Sequence, residues 1–392
     1  MSEFGFKTLD EYNFYGKKVL LRAEFNVPLD GNQKILDDSR IKLTLPTIQH
    51  ILDDGATRLV LMAHLGRPKG KVVESMSLAP VAKKLSELLN KEVEFSKDCI
   101  NAELPETGIV LLENLRFHDE EKKGDRDFAE KLSSYADVYV NDAFGNCHRD
   151  DASMTAVTKF IPSIGGLILE NEIKKMSDIM KNPERPLAFI MGCAKMDKIS
   201  LLEKMLEKCD YVLMGGAIIF TFLKSKGVET GRSLVDEEHL DIVRGIYEKS
   251  KNKLILPDDF VVAKKKDETS ESRVVAEDDI PLDMIGLDIG PESVKKFKSI
   301  LKDCKTIVWN GPLGVFEIDR FGMSTQSIAE YISGIDAKTL IGGGDTASAM
   351  KKYGLSDKFT HVSSGGGASL MFIEGTPLPA IEALRENVRK FS

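Results

Sequence analysis

Six basic side chains are grouped around four short apolar runs, and their placement sets the chemistry this chain can do. Leu20–Leu21 leads into RAEFN (Arg22 to Asn26), and Leu61–Ala63 leads into HLGRP (His64 to Pro68). Leu111–Glu113 leads into NLRFH, and Val138–Asn141 into DAFGNCHRDD (Asp142 to Asp151). Arg40 lies in another loop, DDSRIK. If the runs are neighbouring strands, Arg40, His64, Arg67, Arg116, His148 and Arg149 converge on one sheet edge, where such sheets bind ligands. Guanidinium forks match carboxylate and phosphate geometry, so the natural ligand is a small molecule carrying both groups. The plainer reading pairs each Arg with a local acid such as Asp38, Glu113 or Asp150. Repetition at four run ends favours the ligand, because loop-borne residues at sheet edges carry function.

The second half ends its runs in glycine instead. Thr339–Ile341 runs into GGGDTASAM, and Thr360–Val362 into SSGGGASLM. Glycine lets backbone N–H groups approach an anion, and a following helix N-terminus adds a favourable dipole. Asp345 stands at such a helix start, where a carboxylate can hold a Mg²⁺ that bridges phosphates. WNGPLGVFE (Trp309 to Glu317) and MGG (Met214 to Gly216) follow two further runs, and Lys195 and Lys198 follow MGC. No GxxxxGK[ST] occurs, but two glycine triplets with an Asp and two Lys point to nucleotide phosphates. Anion binding in one half and nucleotide binding in the other suggest phosphoryl transfer, which needs positioning and charge neutralisation more than a nucleophile. Cys147 beside His148 is the one thiol–imidazole neighbour pair, and it lacks a third group.

These residues need an α/β frame. Ten short apolar runs recur: Lys18–Leu21, Leu59–Ala63, Ile109–Glu113, Val138–Asn141, Leu187–Met191, Tyr211–Met214, Lys253–Leu256, Thr306–Trp309, Thr339–Ile341 and Thr360–Val362. Continuous apolarity is what a strand covered on both faces requires. Segments of helical spacing lie between them, including Leu78–Asn90, Asp127–Ala136, Ser200–Lys208 and Glu237–Lys251. Strand alternating with helix predicts parallel sheets. Ten strands exceed a comfortable single sheet, so a break is expected near the middle. LILENEIKKMSDIMK, within residues 166–182, reads as a long helix joining two domains. Lys264–Asp279 reads as a solvated loop or hairpin.

The chain has 392 residues, 42% hydrophobic and 30% charged, so it is globular rather than disordered. Its formal net charge of −8 argues against a chain-wide nucleic-acid coat or a polybasic membrane anchor. Five cysteines without CxxC or zinc-finger spacing argue against a disulfide framework and fit a reducing compartment. The start of the chain has no signal-peptide pattern, and the longest apolar stretch, Tyr211 to Leu223, is too short to span a bilayer. A soluble cytoplasmic protein is expected.

EFNVP, DDSRIK, HLGRP, LLENLRFH, VNDAFGNCHR, LDIGPES, IVWNGPLGVFE, IGGGDTASAM and SSGGGASL occur in this order. With them the chain resembles the phosphoglycerate kinase family over essentially its whole length. The resemblance implies two Rossmann-like domains joined by a long helix and hinge. It places the 3-phosphoglycerate domain at 1–165, the interdomain helix at 166–182, the nucleotide domain at 183–375, and at 376–392 a tail returning to the first domain. It implies a monomer that transfers a phosphoryl group reversibly between 1,3-bisphosphoglycerate and ADP, giving 3-phosphoglycerate and ATP, with Mg²⁺. By motif, the glycerate site comprises Glu24, Phe25, Asn26, Arg40, His64, Leu65, Gly66, Arg67, Arg116 and Arg149. The nucleotide site comprises Lys195, Lys198, Gly215, Gly216, Gly286, Asn310, Pro312, Glu317, Gly343, Gly344, Asp345 and Thr346. Arg40, Lys195, Gly343 and Gly366 act on the group in transit, Gly365 offers its amide beside Gly366, Asp345 holds the metal, and Glu172 and His361 form the hinge latch.

Some positions depart from the family pattern. Glu24 stands where Asp is usual, and Cys193 where Gly is usual, which implies a less close backbone approach to phosphate. Lys195 and Lys198 are three apart rather than four, a spacing that still shares one face of a helix. Met371 and Thr376 replace a Glu and a Lys, removing a possible ion pair. Two other readings remain: a non-catalytic paralogue that binds the same ligands, and a nicotinamide dehydrogenase, against which stands the lack of GxGxxG after the first run.

Overall fold

The computed structural model describes residues 3–193, 198–250 and 252–391. It divides into two compact units, Met1–Lys174 with Thr376–Ser392, and Lys175–Gly375. The division falls inside the helix Leu167–Met180.

The first unit is built on a six-stranded sheet. Its strands are β1 (Lys18–Arg22), β2 (Arg58–Met62), β3 (Val93–Phe95), β4 (Gly108–Leu111), β5 (Val138–Asn141) and β6 (Ser163–Gly165). Their order is β3-β4-β2-β1-β5-β6, with every pairing parallel. The chain thus winds outward from β1 in both directions, and the carboxyl ends of β1, β2, β4 and β5 lie side by side. Every residue of β2 and β5 is buried, as two-sided covering demands. Val19, Leu21, Leu59 and Leu61 pack against Ile41, Ile48 and Ile51 of the helix Ser39–Asp53 and Val81 and Leu85 of the helix Ala79–Leu89. Each such side chain contributes roughly 1.5–3 kcal/mol on burial. The second helix has Pro80 in its first turn and stops at Asn90, whose φ of 49° is left-handed.

In the second unit the strands are β7 (Leu187–Gly192), β8 (Tyr211–Gly215), β9 (Leu254–Ile255), β10 (Asp259–Ala263), β11 (Ser272–Ala276), β12 (Ile285–Ile289), β13 (Thr306–Asn310), β14 (Lys338–Gly342) and β15 (His361–Val362). Six form a parallel sheet ordered β15-β14-β13-β7-β8-β9, which again reverses direction, here between β7 and β13. The apolar stretch Tyr211–Leu223 resolves into β8 and a helix, Ile218–Ser225, that is buried almost all round. All ten apolar runs contain strands.

The sequence reading lacked β3, β6 and a separate three-stranded antiparallel sheet, β11-β10-β12. Of the two alternatives for Lys264–Asp279, the hairpin is found: β10 pairs antiparallel with β11. No helix among the described residues is long and apolar enough to cross a membrane.

Candidate active site

In the first unit, the loops after β2, β4 and β5 bring His64, Arg116, His148 and Arg149 together; Arg40, expected in a loop, sits instead in the first turn of the helix Ser39–Asp53 and acts on His64 from there. β1 ends in Arg22 and opens into Glu24 and Asn26. Asn26 Oδ1 accepts from Gly66 N at 2.9 Å, while Arg116 Nη1 donates to Gly66 O at 3.0 Å, so the Gly66 peptide is held from both sides. Asn114, fully buried, joins the loops after β2 and β4. Its Oδ1 accepts from Leu65 N and Arg116 N, and its Nδ2 donates to Leu65 O and Met76 O. The side chains of Phe25 and Leu65 lie in the core, so they can offer a ligand only their backbone.

The guanidinium of Arg22 is fully buried. It donates to Ser153 Oγ at 2.9 Å, to the Ala23 carbonyl, and to His64 Nδ1 at 3.1 Å. Arginine has no acceptor, so Nδ1 must accept and the His64 proton sits on Nε2. Burial, then Arg22, Arg116, Arg149 and Arg40, hold His64 well below the usual imidazole range. It is a neutral donor at neutral pH inside a cationic field.

Arg116 is 6% exposed and is pushed down to about 10, first by burial and then by Arg149 and Arg22. Its Nε and Nη2, together with Arg149 Nε and His148 Nδ1, are buried and have no hydrogen-bond partner among the described residues. A buried donor left unpaired costs on the order of 1–3 kcal/mol, more when charged, so this cluster is organised for an anion. Arg67 is exposed.

The local-acid reading fails at each acid it named. Asp38 pairs with Lys42 and Lys84, Glu113 accepts from Ser77 and Leu78, and Asp150 accepts from the Thr155 hydroxyl. Two other acids meet these arginines: Glu24 Oε1 lies 2.6 Å from Arg40 Nη1, and Asp151 Oδ2 lies 3.9 Å from Arg116 Nη2. The Glu24 carboxylate fits only because position 145 is glycine, where a Cβ would overlap it. Burial raises the Glu24 carboxyl, against the opposing pull of Arg40 and Arg22. Cys147 is fully buried with its thiol pushed up by burial, which removes the nucleophile reading. One mixed cluster of metal-ligating types occurs among the described residues, Asp98 with Cys99 and His118. Asp98 Oδ1 there already accepts from Cys99 N, Ile100 N and His118 Nε2.

In the second unit a cavity of about 490 Å³ opens at the carboxyl ends of β7, β8 and β13, with β12 lining it along its whole length. Its walls bring together Lys198, Gly216, Gly286, Pro312, Glu317 and Asp345 from the predicted set. Leu234, Phe260, Leu313 and Val315 make one side apolar. Gly192 and Gly311 allow the ends of β7 and β13 to touch: a Cβ on Gly311, whose φ is +88°, would overlap the Gly192 carbonyl. Cys193 lines the cavity, yet its backbone still closes on Gly215 and Gly216, because Gly216 supplies the clearance.

Other predicted residues stand behind the wall. Asn310 is buried and accepts from Lys198 Nζ at 3.0 Å, while its Nδ2 has no partner among the described residues. Thr346 is buried with its hydroxyl accepting from Gly311 N at 2.7 Å, so it supports the loop. Gly215 ends β8, Gly343 precedes the helix Gly344–Lys352, and Gly366, at φ +50°, precedes the helix Gly367–Glu374. Gly365 N donates to Ser363 Oγ. Lys195 lies outside the described residues. The shared-face reading of the two lysines therefore lies outside the described residues; Lys198 stands directly before the helix Ile199–Lys208. Lys204 pairs with Glu374 and Lys208 bonds the carbonyls of Ile373 and Glu374, tying down the helix that carries Met371. Glu172 is 4% exposed in the first unit, and His361 is 7% exposed in the second.

Three contributors were absent from the expected set. Arg22 and Asp288 are charged residues in buried strands, a pattern that by itself demands a partner. Asp288 lines the cavity wall, accepts from the Ser324 hydroxyl and backbone, and is raised to about 7 by burial. Asp151, 4% exposed among the arginines, carried no signal beyond its place after Arg149.

Known proteins resemble this chain over nearly its whole length. A family profile described as "Phosphoglycerate kinase" matches residues 9–376. The chain is 47% identical to the phosphoglycerate kinase of Prochlorococcus marinus (strain MIT 9515), covering 99% of this chain and all of that protein. It is also 47% identical to the cytosolic phosphoglycerate kinase of Triticum aestivum, over 97% and 98% of the two chains. The solved phosphoglycerate kinase of Coxiella burnetii superposes with a TM-score of 0.87 at 36% identity, covering 97% and 99%. This chain belongs to the phosphoglycerate kinase family, kinases whose phosphoryl acceptor is a carboxyl group of phosphoglycerate.

Proposed function

We propose that the first unit holds 3-phosphoglycerate or 1,3-bisphosphoglycerate and the second holds ADP or ATP, and that the phosphoryl group passes directly between them. The observation that carries this reading is the set of buried, unpaired guanidinium nitrogens on Arg116 and Arg149. Arg40, Arg67, Arg116 and Arg149 take the carboxylate and phosphate, His64 donates through Nε2, and Asn26 and Glu24 orient the glycerate. In the second unit the apolar wall and Gly216 and Gly286 take the base, Glu317 the ribose, and Lys195 and Lys198 the phosphates.

In the direction of ATP formation, the P–O bond of the acyl phosphate breaks and a β-phosphate oxygen of ADP forms the new one. The carboxylate leaves with its electron pair. Arg40 follows the charge on the phosphoryl group, with the backbone amides of Gly343 and Gly366 at its end points. Asp345 fits a Mg²⁺ ligand. It is an exposed hard oxygen donor on the cavity wall, and such a cation needs few protein oxygens when phosphates supply the rest. When bound, the ion neutralises phosphate charge. Because each unit takes one ligand, the reaction requires closure about the segment 166–182, with Glu172 and His361 as the latch. We assign a cytoplasmic monomer without nucleic-acid or membrane partners.

A coupled assay of ATP formation from 1,3-bisphosphoglycerate and ADP with purified protein tests the reading. Mg²⁺-dependent turnover is expected. ADP binding without turnover would instead establish the non-catalytic paralogue.

A further inference from the structure

The cationic cluster of the first unit contains an acid for which the phosphoglycerate reading has no use. Asp151 is 4% exposed, and its Oδ2 lies 3.9 Å from Arg116 Nη2. Neither atom has a hydrogen-bond partner among the described residues. The distance is too long for a hydrogen bond but short for two charges with little water between them. The residue is fixed in place, because its carbonyl accepts from Met154 N and Thr155 N at the start of the wide π-type turn Ala152–Ala156. Arg149 Nε and His148 Nδ1, also unpaired, belong to the same cluster, and the Asp151 charge acts on both Arg116 and His148.

We propose that Asp151 is an internal counterion that sets how strongly this site takes an anion. It steadies the ligand-free cluster by attraction, yet commits to no bond that a ligand would have to break. A phosphate or carboxylate arriving at Arg116 and Arg149 meets a field partly cancelled by Asp151. The acid therefore weakens binding of every anion at this cluster and favours ligands with enough negative charge to prevail over it. This rests on the reading of the cluster as the phosphoglycerate site.

Asparagine at 151 keeps the shape and removes the charge, whereas glutamate brings the charge closer to Arg116. Calorimetric titration of the full-length protein with 3-phosphoglycerate, and separately with inorganic sulfate, distinguishes the possibilities. Asp151→Asn is expected to bind both anions roughly three- to tenfold more tightly, with a steeper loss of affinity on adding salt and a lower melting temperature. KM for 3-phosphoglycerate is expected to fall more than kcat changes. Asp151→Glu is expected to bind at least about threefold more weakly. A purely structural Asp151 would lose affinity and stability together. Asp151→Asn binding no more tightly than the parent, or Asp151→Glu binding no more weakly, overturns the proposal, so either folded variant decides it. A parent protein that binds neither anion would overturn the phosphoglycerate reading as well.

Discussion

Two sheets of six parallel strands carry the two units, and each reverses its strand order beside its candidate site. The sites are nevertheless made of different material. In the first unit the loops after β1, β2, β4 and β5 contribute charged side chains, several with unmade bonds. In the second, the strand ends contribute glycines, apolar walls and backbone, and ionisable groups enter through Lys198, Lys266, Glu317, Asp345 and the buried Asp288. The difference follows the chemistry of the proposed ligands. A small polyanion offers little surface and must be held by charge. A nucleotide offers a flat base that burial can hold, and a phosphate tail that amides and a dipole can meet. One architecture serves both because its sheet fixes only where the loops begin.

Removing a cation from the first site should leave the second untouched, and this is the largest effect expected. Arg40→Ala should lower kcat about 10²- to 10³-fold while the Kd for ADP stays within about twofold. Equal losses in steady-state kinetics and ADP titration would break the separation.

The reverse test uses backbone clearance. Gly311→Ala places a Cβ against the Gly192 carbonyl at a φ of +88°, and should cost about 3 kcal/mol or more. ADP binding should be lost, while calorimetry still detects 3-phosphoglycerate.

Each unit also buries a carboxyl raised to about 7 by burial, Asp142 in the first and Asp288 in the second. In each, the folded state holds a proton that the unfolded state releases above about pH 4. Stability from this source is therefore present at low pH and lost as pH rises through 7. For Asp142 the loss between pH 5 and 8 should be roughly 2–3 kcal/mol. Urea melts at the two pH values should show it, and Asp142→Asn should remove it, since Oδ2 has no partner to lose among the described residues.

The smallest effect concerns Glu24. Glu24→Asp withdraws the carboxylate by about 1.5 Å from Arg40. KM for 3-phosphoglycerate should shift roughly three- to tenfold, with KM for ADP unchanged. No shift in substrate KM would show that this carboxylate is not a tight substrate contact.

The strands that carry the site were legible in the sequence because two-sided burial leaves an unbroken apolar run, as in RLVLM of β2. β3 and β6 were not legible. Three residues at a sheet edge, such as Val93–Phe95 with Glu94 exposed, leave too short a pattern. The β10 and β12 segments contain acids, Asp259 and Asp288, whose hydrogen bonds appear only after folding. The basic residues could be found by type and position, but their states could not. That Arg22 fixes the His64 proton, or that Glu24 meets Arg40 while Asp38 does not, depends on atoms brought together from distant parts of the chain. Lys198 shows the same limit: its hydrogen bond to Asn310 joins residues 112 apart in the chain.

The helix Pro379–Lys390 belongs to the first unit, where Asn387 accepts from Ser163 N and donates to the carbonyls of Thr158 and Ile161, and Ala380 N bonds the Cys147 carbonyl. On a ribosome, the partners of that helix emerge more than two hundred residues before the helix itself. The first unit must wait, its edge strand uncapped, while the whole second unit is synthesised. A chain released early would carry every predicted ligand residue of both sites and still leave the carbonyls of Thr158 and Ile161 without their partner.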